Sequence, residues 1–329
     1  MLWRVHQKRT IDMMNDNSSM IAVLCSHLCS ENCKPFEPSE WTRFADLLIA
    51  HKLQPKDIPD LSDNDMKQYF GYSEAEVERI KKLLDRSGSL SFELEKYSAR
   101  GIKVVTRADK GYPRALKQKL QGNCPPMFYY AGELALLDRK TVGFVGSRTV
   151  SEEDITFAEN TVRKINKLGF GVVSGGAKGV DSTASAASRE NGSFCIEYVS
   201  DSLARKLRNS EVISSLQSGQ LLILSMAKPD AGFNAGIAMQ RNKYIYVQSE
   251  ATVVVKSDYN KGGTWGGASE ALKKDYCPVL CRDHRQYPGN SGLIRLGAVP
   301  IDDSWDGNVD NISSMKPDEG EQLTFLDQD

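Results

Sequence analysis

Between Lys140 and Cys281 the chain alternates short apolar runs with amphipathic helical segments, and this alternation restricts the folds that it can adopt. The apolar runs are 142–145, 171–174, 194–198, 221–224, 252–255 and 279–281. The helical segments centre on 153–167, 180–190, 209–217, 234–247 and 266–274. Continuously apolar strands separated by helices are typical of a parallel sheet covered on both faces. The sequence therefore predicts an α/β domain whose ligands bind at the carboxyl ends of the strands.

The segments outside this domain have different patterns. Apolar residues at helical spacing, interrupted by prolines and Gly71, precede it. Two further runs, Ile102–Thr106 and Met127–Ala131, predict strands that lead into the sheet. The predicted organisation is a disordered N-terminus (1–17), a small helical domain (18–87), a bridging segment (88–138), the sheet domain (139–301) and a flexible acidic tail (302–329).

The formal net charge of −1 conceals an uneven distribution of charge. Residues 302–329 contain nine acids and one base, which leaves 41 bases and 34 acids in residues 1–301, a formal charge of +7. A mildly basic body with an acidic tail is compatible with binding to nucleic acid.

Hydropathy and cysteine usage predict a cytoplasmic protein. No N-terminal segment has the pattern of a signal peptide, and the apolar run Met20–Cys25 is too short to span a bilayer. Seven cysteines without the spacing of a disulfide framework fit a reducing compartment. We therefore expect no association with a membrane.

Four segments near the ends of predicted strands carry residues suited to binding phosphate. They are Gly146, Ser147 and Arg148; Ser174, Gly175, Gly176, Lys178 and Gly179; Arg241, Asn242 and Lys243; and Gly262, Gly263 and Thr264, in a glycine-rich turn that opens a helix at Ala268. Glycines let a ligand approach the backbone, a guanidinium matches phosphate geometry, and exposed amides attract anions. Each segment alone could be an ordinary turn, but their repetition in one sheet favours a phosphate-binding edge.

The order of these motifs resembles one known family. Val145-Gly-Ser-Arg148, Ser174-Gly-Gly-Ala-Lys-Gly-Val-Asp181, Arg241-Asn242, the turn at 261–267 and Tyr287–Ala298 occur in the order found in the DprA/Smf family (DNA-processing protein A). The resemblance covers residues 88–301, and the helical segment before them is similar to the SAM-like N-terminal domain of that family. It implies a Rossmann-like α/β fold. The turn at 261–267 departs from the family's Ser-Gly-Ser-Leu-Ile-Thr, and the acidic tail stands where a winged helix is frequent. We expect a divergent member.

The resemblance also implies a function. Members of this family bind and protect single-stranded DNA and load a RecA-type recombinase onto it. They act as homodimers in DNA processing, recombination and natural transformation. For this divergent chain we also consider a role in genome defence. Carried over by position, Arg148 and Lys178 would contact DNA phosphates, with Arg241 and Asn242 in the same basic groove. A looser alignment adds Arg205 and Lys206. No catalytic residues and no cofactor are implied.

A nucleotide-binding sensor, or an enzyme resembling nucleoside-monophosphate phosphoribohydrolases, is the alternative on the same fold. Lys261–Glu270 contains glycines, a threonine and a glutamate, although not at the spacing of that enzyme class. In that case Asp181 or Glu270 would be the candidate general base.

Two smaller features carry separate hypotheses. Cys25, His27, Cys29 and Cys33 contain metal-ligating side chains, but a spacing of four favours one packed helical face over a zinc site, and we predict no metal. At the chain end, Gln322-Leu-Thr-Phe-Leu326 resembles peptides that dock to bacterial sliding clamps, with Gln322, Leu323, Phe325 and Leu326 as anchors.

Overall fold

The computed structural model describes residues 14–310 and residue 312, and it separates into two compact units. The first unit combines the chain up to Leu137 with Val199–Ile237, and the second combines Asp138–Tyr198 with the chain from Ala238 onward. Each unit is therefore built from two separate stretches of sequence. The domain boundaries predicted from the sequence stay predictions.

Strands and helices alternate through most of the described chain. The strands are β1 (Lys103–Thr106), β2 (Met127–Gly132), β3 (Thr141–Val145), β4 (Gly171–Ser174), β5 (Cys195–Val199), β6 (Leu221–Ser225), β7 (Ala251–Val254), β8 (Val279–Arg282) and β9 (Val299–Ile301). The helices are α1 (Asp16–Cys25), α2 (Pro38–Ala50), α3 (Asp63–Phe70), α4 (Glu74–Asp85), α5 (Ser87–Ser98), α6 (Arg114–Leu120), α7 (Glu152–Lys167), α8 (Val180–Glu190), α9 (Leu203–Lys206), α10 (Ser210–Gln217), α11 (Ala235–Gln248), α12 (Gly262–Lys274) and α13 (Pro288–Arg295). Short 3₁₀ turns occupy Pro55–Asp60, Gln121–Asn123 and Leu134–Asp138.

The helices at the start of the first unit pack around an aromatic core. The ring of Phe44, which is fully buried, contacts the rings of Phe36 and Phe70 edge-on at centroid distances of 5.4 and 5.2 Å. Trp41, one turn earlier on α2, is also buried. The apolar residues that the sequence places at helical spacing thus form one core, because i, i+3 and i+4 side chains share a helix face.

A buried arginine closes the end of α1. The Arg86 guanidinium donates hydrogen bonds to the carbonyl oxygens of Val23, Ser26 and Leu28 at 2.6, 2.8 and 2.8 Å. These donors satisfy carbonyls that have no partner within the helix. Burial raises the pKa of the Cys25 thiol well above its usual value, so this thiol stays protonated. Within residues 14–310 and 312, no group of three His, Cys, Asp or Glu side chains is arranged to hold a metal ion.

The three strands of the first unit pair antiparallel. Strand β1 pairs with β2, with Val104 opposite Tyr129, and β2 pairs with β6, with Tyr130 opposite Leu224. The alternation of the sequence predicted the strand β6, but not that β6 has an antiparallel neighbour in β2. A continuously apolar run indicates burial on both faces, but it carries no information on the direction of the neighbouring strand.

The strands of the second unit form a parallel sheet in the order β5-β4-β3-β7-β8-β9. From β3 the chain proceeds to β4 and then β5 on one side, and β7, β8 and β9 follow on the other. The order of the strands therefore reverses between β3 and β7. In open α/β sheets, the carboxyl ends of the strands at such a reversal form the usual crevice for ligands. The α/β class expected from the sequence is confirmed.

No helix in the described part of the chain is both long enough and apolar enough to cross a membrane.

Candidate functional site

The loops that follow β4 and β3 meet at the carboxyl edge of the parallel sheet. The amide of Val180 donates a hydrogen bond to the carbonyl oxygen of Ser147 at 3.2 Å. Gly179 has a φ of 83°, and a Cβ atom there would overlap the Ser147 carbonyl oxygen. A Cβ atom at Gly146 would likewise overlap the side chain of Val180. Both glycines are thus required by the close approach of the two loops.

This contact brings two exposed cations to one edge. Lys178 and Arg148 are both exposed, and a Cβ atom on Gly179 would lie 2.8 Å from the Cα atom of Arg148. Ser147 anchors the first loop, since its amide donates to the Lys256 carbonyl oxygen at 3.0 Å. We call the surface formed by residues 146–149 and 175–179 the loop edge. Its cations can attract an anion, and its Gly176, with a φ of 61°, forms part of the second turn.

Beneath the loop edge, a buried arginine fills the space beside a glycine. A Cβ atom on Gly175 would overlap the guanidinium of Arg241, which is 6% exposed. One nitrogen of that guanidinium lies 3.9 Å from the Asp181 carboxylate, and the Ala177 amide donates to the same carboxylate at 3.4 Å. Burial raises the pKa of Asp181 to about 6, although the charge of Arg241 opposes the shift. Ser174, also buried, donates its hydroxyl hydrogen to the Phe144 carbonyl oxygen at 2.8 Å.

The glycine-rich segment at 261–267 differs from its predicted form. The sequence predicted a turn that ends where a helix opens at Ala268, with Thr264 free to cap it. The structure starts α12 at Gly262, with Lys261 as N-cap and Thr264 inside the first turn.

Close packing explains this early helix start. The Asn242 amide donates to the Gly263 carbonyl oxygen at 3.0 Å. A Cβ atom on Gly263 would be 2.9 Å from the Asn242 side chain, and one on Gly267 would be 3.1 Å from the Tyr246 ring. Packing of α12 against α11 outweighs the low helix propensity of glycine. Lys243, the next residue on α11, is half-buried.

A second buried carboxylate lies at the start of α7. Ser151 and Asp154 form the predicted capping box, with the Ser151 amide 2.9 Å from the Asp154 carboxylate. The same carboxylate accepts hydrogen bonds from Arg282 at 2.8 Å, Tyr287 at 2.6 Å and Lys256 at 3.3 Å. Burial alone would raise the pKa of Asp154, but the hydrogen bonds from Ser151, Tyr287 and Lys256 lower it to about 2. None of these three partners was predicted from the sequence, in which the Tyr287-Pro-Gly-Asn motif is the signal that points to this region.

The remaining predicted residues lie elsewhere. Arg205 and Lys206 belong to the first unit, on the short helix α9, where the exposed Arg205 pairs with Asp201 at 2.9 Å. Glu270, one of the two candidate bases, pairs with Lys274 at 3.2 Å on α12. Residues 322–326 lie outside the described residues, so their docking to a sliding clamp stays a prediction.

Comparison with known proteins assigns most of the sheet-forming chain to one family. Residues 103–308 match the family described as DNA recombination-mediator protein A. A protein named Smf from Synechocystis is 26% identical over 236 residues, which is 68% of this chain, and the chain spans only 58% of that relative's length.

Solved structures show the same fold. DNA processing protein A from Streptococcus pneumoniae superposes with a TM-score of 0.67 at 19% identity, covering 92% of this chain and 98% of the other. DNA processing protein A from Helicobacter pylori, which is described with a single-stranded DNA binding mode, superposes with a TM-score of 0.52 at 24% identity. The match covers 65% of this chain and 94% of the other. Since the family match extends over more than half of the sequence, this chain belongs to the DNA recombination-mediator protein A family.

Proposed function

We propose that this protein binds single-stranded DNA through the loop edge of its second unit. The observation that carries the proposal is the contact of Gly179 with Ser147 and Arg148, which holds two exposed cations, Arg148 and Lys178, on neighbouring loops. Cations held by adjacent backbone turns can follow a phosphate chain without reading its sequence. The Helicobacter pylori relative binds single-stranded DNA, which supports the same ligand here.

The charge distribution supports this ligand. Outside residues 302–329 the chain has a formal charge of +7, so the body of the protein attracts a polyanion. Contacts made mainly to phosphates release counterions, and affinity then falls steeply as the salt concentration rises. We expect Arg241 to contribute less directly, because it is buried against Asp181. The same holds for the neutral Asn242, whose amide donates to the Gly263 carbonyl oxygen, and for Lys243, which is half-buried.

We further propose that binding rather than catalysis is the role of this site. Of the two candidate bases, Asp181 is buried next to Arg241 and Glu270 is paired with Lys274. A general base must reach a substrate proton, which the buried Asp181 carboxylate does poorly, and the Glu270 carboxylate lies at the surface in an i,i+4 pair on α12.

The family description, a recombination mediator, supports a finer proposal. In this proposal the protein acts as a homodimer in the cytoplasm and helps to load a RecA-type recombinase onto the single strand that it protects. Its pathway would be transformation, recombination or genome defence. The measurement is RecA-dependent strand exchange on DNA precoated with single-strand-binding protein, which the protein should accelerate, together with sedimentation analysis of its oligomeric state.

A salt-titrated binding assay tests the central proposal. Fluorescence anisotropy with a labelled oligonucleotide should show tight binding at low salt that weakens as salt rises. Arg148→Ala with Lys178→Ala should weaken binding to all sequences and make the salt dependence shallower.

The matched control removes the same two charges elsewhere in the second unit. Arg163 and Lys167 are exposed in the last turns of α7, far along that helix from the loop edge. Arg163→Ala with Lys167→Ala should therefore change the affinity little. The proposal fails if the wild-type protein does not bind single strands at low salt, or if both double variants lose affinity equally.

A further inference from the structure

An exposed tyrosine on the loop that follows β7 packs against a tryptophan in the first turns of α12. Tyr259 is 52% exposed, and its ring meets that of Trp265 edge to face, with centroids 4.9 Å apart and planes at 61°. Most large aromatic residues of the second unit are buried in the core, so a half-exposed tyrosine needs a separate explanation.

The pair is held in place by a glycine on α13. A Cβ atom on Gly292 would lie 2.8 Å from both the Trp265 and the Tyr259 rings. Trp265 is also fixed from the other side, because α12 packs closely against α11 through Gly263 and Gly267. The two rings therefore form one closely packed surface whose outer part, Tyr259, faces solvent. Rigid aromatic rings lose little entropy when they bind a flat ligand.

The aromatic pair belongs to the same edge of the sheet as the two cations. Strand β3 lies between β4 and β7, and neighbouring strands are about 4.8 Å apart. The loop after β7 touches the loop after β3, since the Ser147 amide donates to the Lys256 carbonyl oxygen at 3.0 Å. Across three adjacent strands the edge thus presents Lys178, Arg148 and then Tyr259.

We propose that Tyr259, supported by Trp265 and Gly292, is a stacking platform for a nucleobase of the bound strand. This inference rests on the proposed binding of single-stranded DNA at the loop edge. Sites that hold single strands without sequence preference combine cations that follow the backbone with aromatic rings on which bases stack. Lys178 and Arg148 supply the first component, and Tyr259 supplies the second.

The experiment compares two oligonucleotides of equal length and charge, one of thymidines and one of abasic residues. Tyr259→Ala should weaken binding to the thymidine strand about 5- to 100-fold, the range found for loss of one stacked base, and leave binding to the abasic strand unchanged. Gly292→Ala, which displaces both rings, should give the same pattern with a smaller change. Tyr259→Phe keeps the ring and should recover the affinity that Tyr259→Ala loses.

Phe92→Ala is the matched control, because Phe92 is 60% exposed and lies on α5 of the first unit. Circular dichroism and thermal unfolding of each variant check that the fold is retained. If the wild-type protein binds neither strand, the proposed function itself fails. If it binds thymidines, and Arg148→Ala with Lys178→Ala weakens that binding while Tyr259→Ala does not, only the stacking inference is overturned. Equal losses on both strands, or a change only in self-association, would also overturn it, since the pair would then serve the fold or a protein contact.

Discussion

Two carboxylates are buried near the carboxyl edge of the parallel sheet, yet their pKa values move in opposite directions. The pKa of Asp154 falls to about 2, whereas that of Asp181 rises to about 6. Both carboxylates are nearly inaccessible to solvent, and each lies within 4 Å of an arginine guanidinium. Solvent exposure of the side chain is therefore not what distinguishes them.

The difference lies in the number and geometry of hydrogen bonds. Asp154 accepts from Arg282, Tyr287, Lys256 and the Ser151 amide, all within 3.3 Å. Asp181 has only backbone amides as hydrogen-bond donors, those of Ala177 at 3.4 Å and of Gly175, and its nearest guanidinium nitrogen is at 3.9 Å, which is beyond hydrogen-bond range. Desolvation disfavours both charges, and only a full set of donors reverses its effect. Asp154 thus acts as a structural anchor at the start of α7, whereas Asp181 is held ionised only weakly.

Removal of the Asp154 carboxylate should have the largest effect on stability. Asp154→Ala leaves the buried guanidinium of Arg282 without its buried acceptor, and loss of one partner from a buried pair costs about 3–5 kcal/mol. The free energy of unfolding from urea titration measures this loss. A loss below about 1 kcal/mol would mean that the network does not anchor α7.

The pH dependence of the Asp154 contribution follows from its low pKa. Because the folded-state pKa lies below the unfolded value, this stability is present above about pH 4 and is lost as the pH falls toward 2. The difference between wild type and Asp154→Asn should therefore be larger at pH 6 than at pH 3.

Asp181 should show the opposite dependence. Its folded-state pKa lies above the unfolded value, so the folded protein binds the extra proton between about pH 4 and 6, and stability falls as the pH rises through that window. Asp181→Asn removes this titration. Relative to wild type, the variant should gain about 3 kcal/mol between pH 4 and 7, as two units of pKa shift correspond to about that energy. Urea titrations at a series of pH values measure it, and parallel curves for the two proteins would contradict the assignment.

The next largest loss of stability tests whether the absence of a side chain at Gly175 positions the Arg241 guanidinium. Gly175→Ala places a methyl group in the volume of the guanidinium, so Arg241 must move away from Asp181. Overpacking of this kind costs about 1–3 kcal/mol. Loss of the nearby positive charge should also raise the pKa of Asp181 further.

Gly266→Ala serves as the control for this substitution. No atom lies within 4 Å of a Cβ built on Gly266, and alanine favours the helix that contains it. Its expected effect is a gain of up to about 1 kcal/mol. If both variants lose the same stability, the space beside Gly175 is not what constrains Arg241.

Local features near the two carboxylates, the strand positions and the helix cap, could be predicted from the sequence. Apolar runs located β3 and β4 within one residue, because a buried strand needs continuous apolar residues and its ends are marked by glycine and polar residues. The capping box was also predictable, since Ser151 and Asp154 are three residues apart and act within one helical turn.

The partners that decide the two pKa values were not predictable in this way. Lys256 and Tyr287 lie 102 and 133 residues from Asp154 in the chain, and no local pattern joins them. Gly175 appeared in the sequence as a position where a ligand could approach, and the structure puts Arg241 beside it. A missing Cβ indicates that something comes close, but the sequence does not say whether that group is a ligand or another part of the chain.

We expect the smallest loss of stability at Glu153, which precedes Asp154 in the chain and contacts the same arginine. Glu153 pairs with Arg282 at 2.6 Å, a shorter distance than the 2.8 Å from Arg282 to Asp154, but the Glu153 side chain is 63% exposed. Water screens an exposed pair and the long side chain loses entropy, so Glu153→Ala should cost only about 0–1 kcal/mol. Raising the salt concentration should shrink this difference further, whereas the cost of Asp154→Ala should persist because its site excludes water. A loss at Glu153 as large as that at Asp154 would mean that distance to Arg282, rather than burial with a full set of donors, sets the strength of these contacts.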